Sequence, residues 1–148
     1  TIELILINDN IANTISPSLY SQHCKPIYKI YAEAFSSTGK VLAVHHDGLL
    51  NSLKHEIADA PFTVVDSFTL PPAGDLELLE ARKLWPGKVF FINLPPFLAH
   101  KDDDEVERYY EQVIQDWGSK QLVFVHVEDY PEDRLERHFS ILMDVCGY

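Results

Sequence analysis

The stretch VLAVHHDGLL, residues 41–50, sets four apolar residues directly before two histidines, an aspartate and a glycine. A short apolar run of this kind is typical of a buried β-strand, and the polar residues and glycine after it predict a strand end and a turn. Burying imidazole and carboxylate groups without partners would cost several kcal/mol. We therefore expect the end of this strand to face polar partners or a solvent-filled site.

The same pattern recurs along the chain. Apolar runs of strand length occur five times, and each is followed by residues with helical spacing. Because the runs are continuous rather than alternating, they predict strands buried on both faces, as in a parallel sheet. The predicted strands are Ile2–Ile7, Val41–Val44, Thr63–Val65, Val89–Leu94 and Leu122–Val127.

Helix-start and helix-stop residues lie between these runs. Ser16 with Pro17 predicts the start of the first helix and Gly39 its end, whereas Pro26 should kink the helix or divide it in two. Asp75 and Asp103 are interpreted as caps of later helices.

Strands that alternate with helices imply a parallel α/β fold with right-handed crossovers, here as one domain over residues 1–148. Two architectures fit this pattern: a five-stranded doubly wound sheet, or about five of the eight units of a (β/α) TIM barrel. Spacing alone does not separate them. The segment after the first strand contains no glycine, which argues against a Rossmann or P-loop nucleotide site.

Charge and composition narrow the function classes. The chain has 12 Lys and Arg against 23 Asp and Glu, a formal charge of −11, which would repel nucleic acids and anionic lipids alike. No apolar run approaches the ~20 residues that cross a bilayer. Cys24 and Cys146 fit no metal-binding spacing, so we expect free thiols and a cytoplasmic location, with a disulfide between them as the alternative. The chain starts without Met inside a predicted strand, which suggests a fragment of a longer protein.

Polar residues follow all five predicted strands, and carboxyl ends of parallel strands gather on one rim where ligands bind. Because residues two apart share a strand face, His45 goes with Asp47 while His46 points the other way. One interpretation is acid/base chemistry; the other is a divalent metal, such as zinc, on His45, Asp47 and His126. The predicted catalytic residues are His126, Asp47 and Asp9, and the predicted substrate-binding residues are Asn93, Asp66 and His45.

Three segments also carry a resemblance to a known family. The sequences STGKVLAVHHDG (37–48), EARKLWPGKVFFINLPP (80–96) and VEDYPEDR (127–134) are similar to the carboxyl-terminal part of the uroporphyrinogen decarboxylase superfamily, which also contains corrinoid-dependent methyltransferases. The resemblance implies a (β/α) barrel and a small-molecule or tetrapyrrole substrate. It also implies that His126 matches a histidine of the last barrel strand, and that His45 with Asp47 matches a His-x-Cys zinc pair in which Asp47 replaces the thiolate.

The function expected from this resemblance is a decarboxylase-like lyase of porphyrin biosynthesis that works by acid/base chemistry. Two alternatives remain open: a metal-assisted corrinoid-dependent methyltransferase, and a non-catalytic half-barrel that binds a ligand. Five βα units leave two open sheet edges, so a homodimer through those edges is also expected.

Overall fold

Five strands form one parallel sheet in the computed structural model, which describes residues 3–117, 122–125 and 130–148. The sheet order β1-β2-β3-β4-β5 follows the chain, and every neighbouring pair is parallel. A doubly wound sheet reverses its strand order at a switch point, whereas barrel strands follow one another around the axis. The structure therefore confirms the partial barrel and contradicts the doubly wound alternative. The strands are β1 (Leu4–Ile11), β2 (Val41–His46), β3 (Val64–Phe68), β4 (Val89–Asn93) and β5 (Leu122–Val125).

Helices connect the strands as predicted. Short 3-10 segments lie at Ser36–Thr38, Asn51–Leu53 and Pro96–His100. Within the described part of the chain, no helix combines the length and apolar character needed to cross a membrane. The helices are α1 (Pro17–Leu19), α2 (Lys25–Phe35), α3 (Lys54–Ala58), α4 (Leu78–Leu84), α5 (Asp103–Trp117) and α6 (Glu132–Cys146).

The first helical region confirms three predictions. Ser16 caps α1 by accepting a hydrogen bond from the Leu19 amide at 3.3 Å, and Gly39 ends the region in the left-handed conformation. A π-helical turn, Tyr20–Cys24, separates α1 from α2, and Pro26 is the second residue of α2. Since proline has no amide hydrogen to continue the α-helical ladder, a wider turn at this place divides the helix.

Asp75 does not cap α4, contrary to the prediction. The helix begins at Leu78, and the Asp75 carboxylate instead accepts a hydrogen bond from the Asn51 amide at 2.9 Å. The carboxylate therefore links the connection after β3 to the connection after β2, a long-range role that local spacing does not reveal.

Asp103 is not the cap of α5 either. The neighbouring Asp102 accepts a hydrogen bond from the Glu105 amide at 2.9 Å, and the Glu105 carboxylate accepts one from the Asp102 amide at 3.3 Å. This reciprocal pair is a capping box. Asp103 instead pairs with Arg137 of α6 at 2.8 Å, so it joins two helices.

The helices cover only one side of the sheet among the described residues. We call the other side the open face; it carries Leu4, Leu6, His45, Asp66 and Asn93. On β1 the residues alternate between exposed and half-buried, with Leu6 48% exposed. The prediction that all strands are buried on both faces is therefore wrong for β1, because β1 is an edge strand whose open face has no covering layer here.

The core lies between the sheet and the helices and is rich in aromatic rings. The ring of Phe90 on β4 stacks on that of Trp85, with 5.5 Å between the ring centroids. The centroid of the Phe90 ring also lies 4.5 Å from that of Trp117 on α5. Phe68 of β3 completes the group at 5.1 Å from Phe90. Large rings of this kind bury much apolar area, so they fix α4 and α5 against the middle of the sheet.

Lys88 is buried at the amino-terminal side of the sheet, just before β4. Its ammonium group donates hydrogen bonds to the carbonyls of Ala60 and Phe62, both at 2.9 Å, and lies 4.0 Å from the centre of the Phe62 ring. Burial lowers the pKa of the Lys88 ammonium to about 8, although Asp59 partly opposes this. The lysine ties the start of β4 to the segment before β3.

The Lys88 pKa predicts a pH dependence of stability. Between pH 8 and its ordinary pKa of 10.5 the unfolded chain keeps a proton that the folded protein loses, so the free energy of unfolding should rise with pH. The rise should approach about 1.4 kcal/mol per pH unit. Urea unfolding at pH 7.5, 8.5 and 9.5 would measure it. Lys88→Met should lack the rise and Lys83→Met, at an exposed position, should keep it; equal slopes in both variants would contradict the assignment.

Candidate functional site

His45 and Asp66 form a pair on the open face at the carboxyl ends of β2 and β3. The strand register sets the two residues side by side, and His45 Nδ1 lies 2.8 Å from Asp66 Oδ2. The side chains are 24% and 16% exposed, so both remain accessible from the open face. Because a carboxylate only accepts hydrogen bonds, neutral His45 carries its hydrogen on Nδ1 and presents a lone pair on Nε2. This geometry suits His45 to accept a proton.

Ser67 and Asn93 extend this pair to a third strand. The Ser67 hydroxyl donates to Asp66 Oδ2 at 3.4 Å, and the Asn93 side-chain amide donates to the Ser67 carbonyl at 3.4 Å. Ser67 has a φ of +64°, and the register between β3 and β4 shifts between Val65 and Phe68. Bulges and left-handed residues of this type concentrate at functional sites, where they redirect side chains.

The connection after β3 supports this arrangement through two hydrogen bonds of Thr69. The Thr69 hydroxyl donates to the Ser67 carbonyl at 3.0 Å and accepts a hydrogen bond from the Gly48 amide at 3.0 Å. Thr69 therefore joins the exit of β2 to the exit of β3. A side chain at Gly74 would meet the Thr69 carbonyl oxygen at 1.9 Å, so the connection folds back closely on itself.

His46 lies on the opposite side of β2, in the helix layer, and is fully buried. Its Nε2 is 2.9 Å from the Tyr20 hydroxyl, and its Nδ1 is 3.4 Å from Asp9 Oδ1. The Tyr28 hydroxyl donates to the other oxygen of Asp9. Burial, followed by the Asp9 interaction, raises the pKa of the Tyr28 hydroxyl, so Tyr28 stays protonated and can act as a donor.

Asp9 is thereby separated from His45. It shares strand parity with Ile5 and Ile7, which pack against the core in the helix layer. The sequence analysis grouped Asp9 with the residues of the rim because it follows a strand, but the structure directs its carboxylate to His46 rather than to the open face. Through its contacts with Tyr28 and His46, Asp9 links α2 to the carboxyl-terminal ends of β1 and β2.

The structure does not test the catalytic roles predicted for Asp47 and His126. Asp47 follows β2 and is half-buried, with its amide donating to the Ile11 carbonyl at 3.2 Å. His126 lies outside the described residues, as do Glu128 and Asp129. The pairing of His126 with Asp47, and the metal set of His45, Asp47 and His126, therefore stay predictions.

The described residues do not fit a zinc centre. Residues 3–117, 122–125 and 130–148 contain no group of three His, Cys, Asp or Glu side chains able to hold a metal ion. Cys24 and Cys146 are both free, as expected, and lie in helical segments. We therefore derive no chemistry through a metal.

Sequence reasoning missed Ser67 and Thr69, and it did not pair His45 with Asp66. The pairing depends on strand register, which is a long-range property. The one local signal was the polar run Asp66-Ser67 inside an otherwise apolar strand, which is a common setting for a bulge.

A separate concavity of about 700 Å³ opens at the start of α5. It contains none of the residues around His45, and most of its walls are charged side chains at the start of α5, including the two residues of the capping box. We therefore place the candidate site on the open face, where strand register assembles complementary groups. The concavity is lined by His100, Lys101, Asp102, Asp103, Asp104, Glu105 and Arg134.

No protein-family model and no curated protein sequence matches this chain. Among solved structures, the chain is similar to a methyltransferase from Methanosarcina mazei, with a TM-score of 0.72 and 17% sequence identity. The superposition covers 97% of this chain and 41% of the methyltransferase chain.

This likeness bears on the fold. Nearly the whole chain superposes on less than half of the methyltransferase chain, in agreement with a partial barrel. The resemblance noted in the sequence is thus supported at the level of the fold. The neighbour offers no support for decarboxylation, for a lyase or for porphyrin biosynthesis.

The tautomer of His45 can be tested directly. In the wild-type protein we expect the hydrogen of neutral His45 on Nδ1, because Asp66 accepts it. Asp66→Asn should weaken this preference, since an amide can also donate to Nδ1. Nitrogen-15 NMR of the histidine side chains would report both states. An unchanged His45 signal in Asp66→Asn would contradict the contact.

Gly74 offers a matched test of the supporting connection. Gly74→Ala forces a methyl group into the Thr69 carbonyl and should lower the free energy of unfolding by roughly 3 kcal/mol. Gly87→Ala meets no atom within 4 Å and should change it by less than about 0.5 kcal/mol. Thermal and urea unfolding would measure both values, and similar losses in the two variants would refute the close approach.

Proposed function

We propose that this chain is part of a methyltransferase in which His45, held by Asp66, removes a proton from the methyl acceptor. The observation that carries the proposal is the His45–Asp66 pair at 2.8 Å on the open face of a sheet with the fold of a methyltransferase. A strand-end position of this kind is where barrel enzymes keep their chemistry.

The proton transfer follows from the geometry. Asp66 accepts the hydrogen bond from His45 Nδ1, so Nε2 is the atom that takes the proton from the methyl acceptor. The freed lone pair of the acceptor then forms the new bond to the methyl carbon, and the bond between methyl and donor breaks with its electrons staying on the donor. A methylated corrinoid, the donor implied by the sequence resemblance, would supply the methyl group.

A thiol is the acceptor class that suits this base best. With an ordinary pKa of about 8.5, a thiol gives up its proton more readily than the other common methyl acceptors of neutral charge. An alcohol is far less acidic and would need further activation. We assign to Asn93, which donates to the Ser67 carbonyl at 3.4 Å, the binding of polar groups of the substrate.

Charge favours methyl transfer over decarboxylation of a tetrapyrrole. A substrate with several carboxylates calls for cationic groups to hold them. All four described arginines lie on helices rather than on the open face. Three of them are engaged there: Arg82 donates to the Trp117 carbonyl, Arg108 to the Asp104 carbonyl at 3.0 Å, and Arg137 to Asp103. The fourth, Arg134, lines the concavity at the start of α5.

The test is a methyl-transfer assay with protein produced from its complete reading frame. Methylcobalamin and a small alkyl thiol are supplied, and mass spectrometry measures the methyl thioether. His45→Gln should lower the rate at pH 7 by about 10²–10⁴-fold, the usual contribution of a general base. The loss should shrink at pH 9, where a larger fraction of the thiol is ionised without a base.

His55→Gln is the matched control, because His55 is exposed on α3. It should retain wild-type activity. Equal activity of His45→Gln and wild type would refute the role of His45. Saturable binding of methylcobalamin with no product from the wild-type protein would refute catalysis and favour the ligand-binding half-barrel.

A further inference from the structure

Asn8 is the neighbour of His45 on the β1 side of the open face. Ile7 of β1 pairs with Val44 of β2, and Asn8 follows Ile7 directly. His45 likewise follows Val44, so the two side chains start from neighbouring places on adjacent strands. Asn8 takes an exposed position in the alternation along β1, which places it on the open face. His45 therefore has Asp66 on one side and Asn8 on the other.

The backbone departs from regular strand geometry on both sides of His45. The register of β1 against β2 shifts within residues 7–11, and that of β3 against β4 shifts within residues 65–68. Among the described residues, the non-glycine residues with positive φ are Asn10, at 52°, and Ser67, at 64°, one in each of these segments. Bulges and left-handed residues are frequent next to active sites, where they redirect side chains.

The Asn8 carboxamide is available to a ligand. Within the described part of the chain it makes no hydrogen bond or ion pair with another residue. A carboxamide offers two N–H donors and one carbonyl acceptor. It can therefore bind a group that both donates and accepts hydrogen bonds, such as a hydroxyl or another amide.

The row of side chains next to Asn8 and His45, one step towards the amino-terminal ends of the strands, is apolar. Leu6 of β1 is in register with Ala43 of β2, and Ala43 is in register with Val64 of β3. The open face thus combines a polar row at the strand ends with an apolar row beside it. Small-molecule sites commonly have this composition, with an apolar lining and a few polar groups that fix orientation.

The charge of these strands disfavours an anionic ligand. No Lys or Arg lies in the five strands as the structure describes them. Asp66 instead contributes a carboxylate beside His45. A carboxylate or sulfonate on the ligand would be repelled by this like charge. An uncharged polar group suits the site better.

We infer that Asn8 is a substrate-binding residue and that the methyl acceptor is a short-chain thiol with an uncharged hydroxyl or amide group. His45 turns Nδ1 towards Asp66 on β3, so Nε2 lies on the part of the ring directed away from β3, on the side of β1 and Asn8. The sulfur approaches Nε2, the carbon chain lies on Leu6 and Ala43, and the hydroxyl or amide pairs with Asn8. This inference rests on the methyl transfer proposed above and adds the class of the acceptor.

The inference is tested by thiol binding to nitrogen-15-labelled protein produced from its complete reading frame, which requires no turnover. 2-Mercaptoethanol should shift the side-chain amide signal of Asn8, identified by its loss in Asn8→Leu. It should bind about tenfold more tightly than ethanethiol, because only 2-mercaptoethanol forms the hydrogen bond. 3-Mercaptopropionate, which carries a carboxylate, should bind more weakly than 2-mercaptoethanol.

Two variants of the same kind separate the role of Asn8 from a general effect of the substitution. Asn8→Leu keeps the shape of the side chain and should bind 2-mercaptoethanol and ethanethiol equally. Asn13→Leu, in the exposed turn after β1, should keep the wild-type preference. Circular dichroism melting checks that each variant is folded, and Asn8→Ala repeats the test with a smaller side chain.

Three results would overturn the inference: equal affinity of the wild-type protein for the two uncharged thiols, a preference that survives in Asn8→Leu, or tighter binding of 3-mercaptopropionate. Failure of the proposed function gives a different result. In that case 2-mercaptoethanol binds through Asn8, but no methyl thioether forms when methylcobalamin is supplied.

Discussion

The parallel pairing of β2 with β3 is the constraint on which the site depends. It sets His45 beside Asp66, and it leaves His46 on the other side of the same strand. Side chains of a strand alternate between its two faces, so the end of β2 presents His45 to the open face and His46 to the helices. The two adjacent histidines at this strand end therefore have separate hydrogen-bond partners, Asp66 for His45 and Tyr20 for His46.

Much of the fold could be predicted from the sequence because it depends on local signals. Apolar runs gave the five strands, and Ser16, Pro26 and Gly39 predicted the limits and division of the first helical region. Where several acidic residues occur together near a helix start, the sequence did not predict which of them is the cap. Asp102 rather than Asp103 caps α5, because the choice between neighbours depends on the geometry of the turn.

The candidate site was predictable only in part, since its contacts cross between strands. The sequence indicated that His45, Asp66 and Asn93 end neighbouring strands, yet strand register decides which of them touch. Asp9 ends a strand too, but its parity turns it towards Tyr28 and His46. Ser67 and Lys88 had no strong local signal: one depends on a bulge and the other on two distant carbonyls.

The two histidines of β2 make the length of this strand unusually intolerant of change. Deleting or inserting one residue between Val41 and Val44 would exchange the imidazoles between the two layers. A hydrogen-bond partner of Tyr20 would then enter the open face, and a solvent-facing side chain would enter the core. Evolution along this segment should therefore proceed by substitution, with gaps confined to the connecting loops.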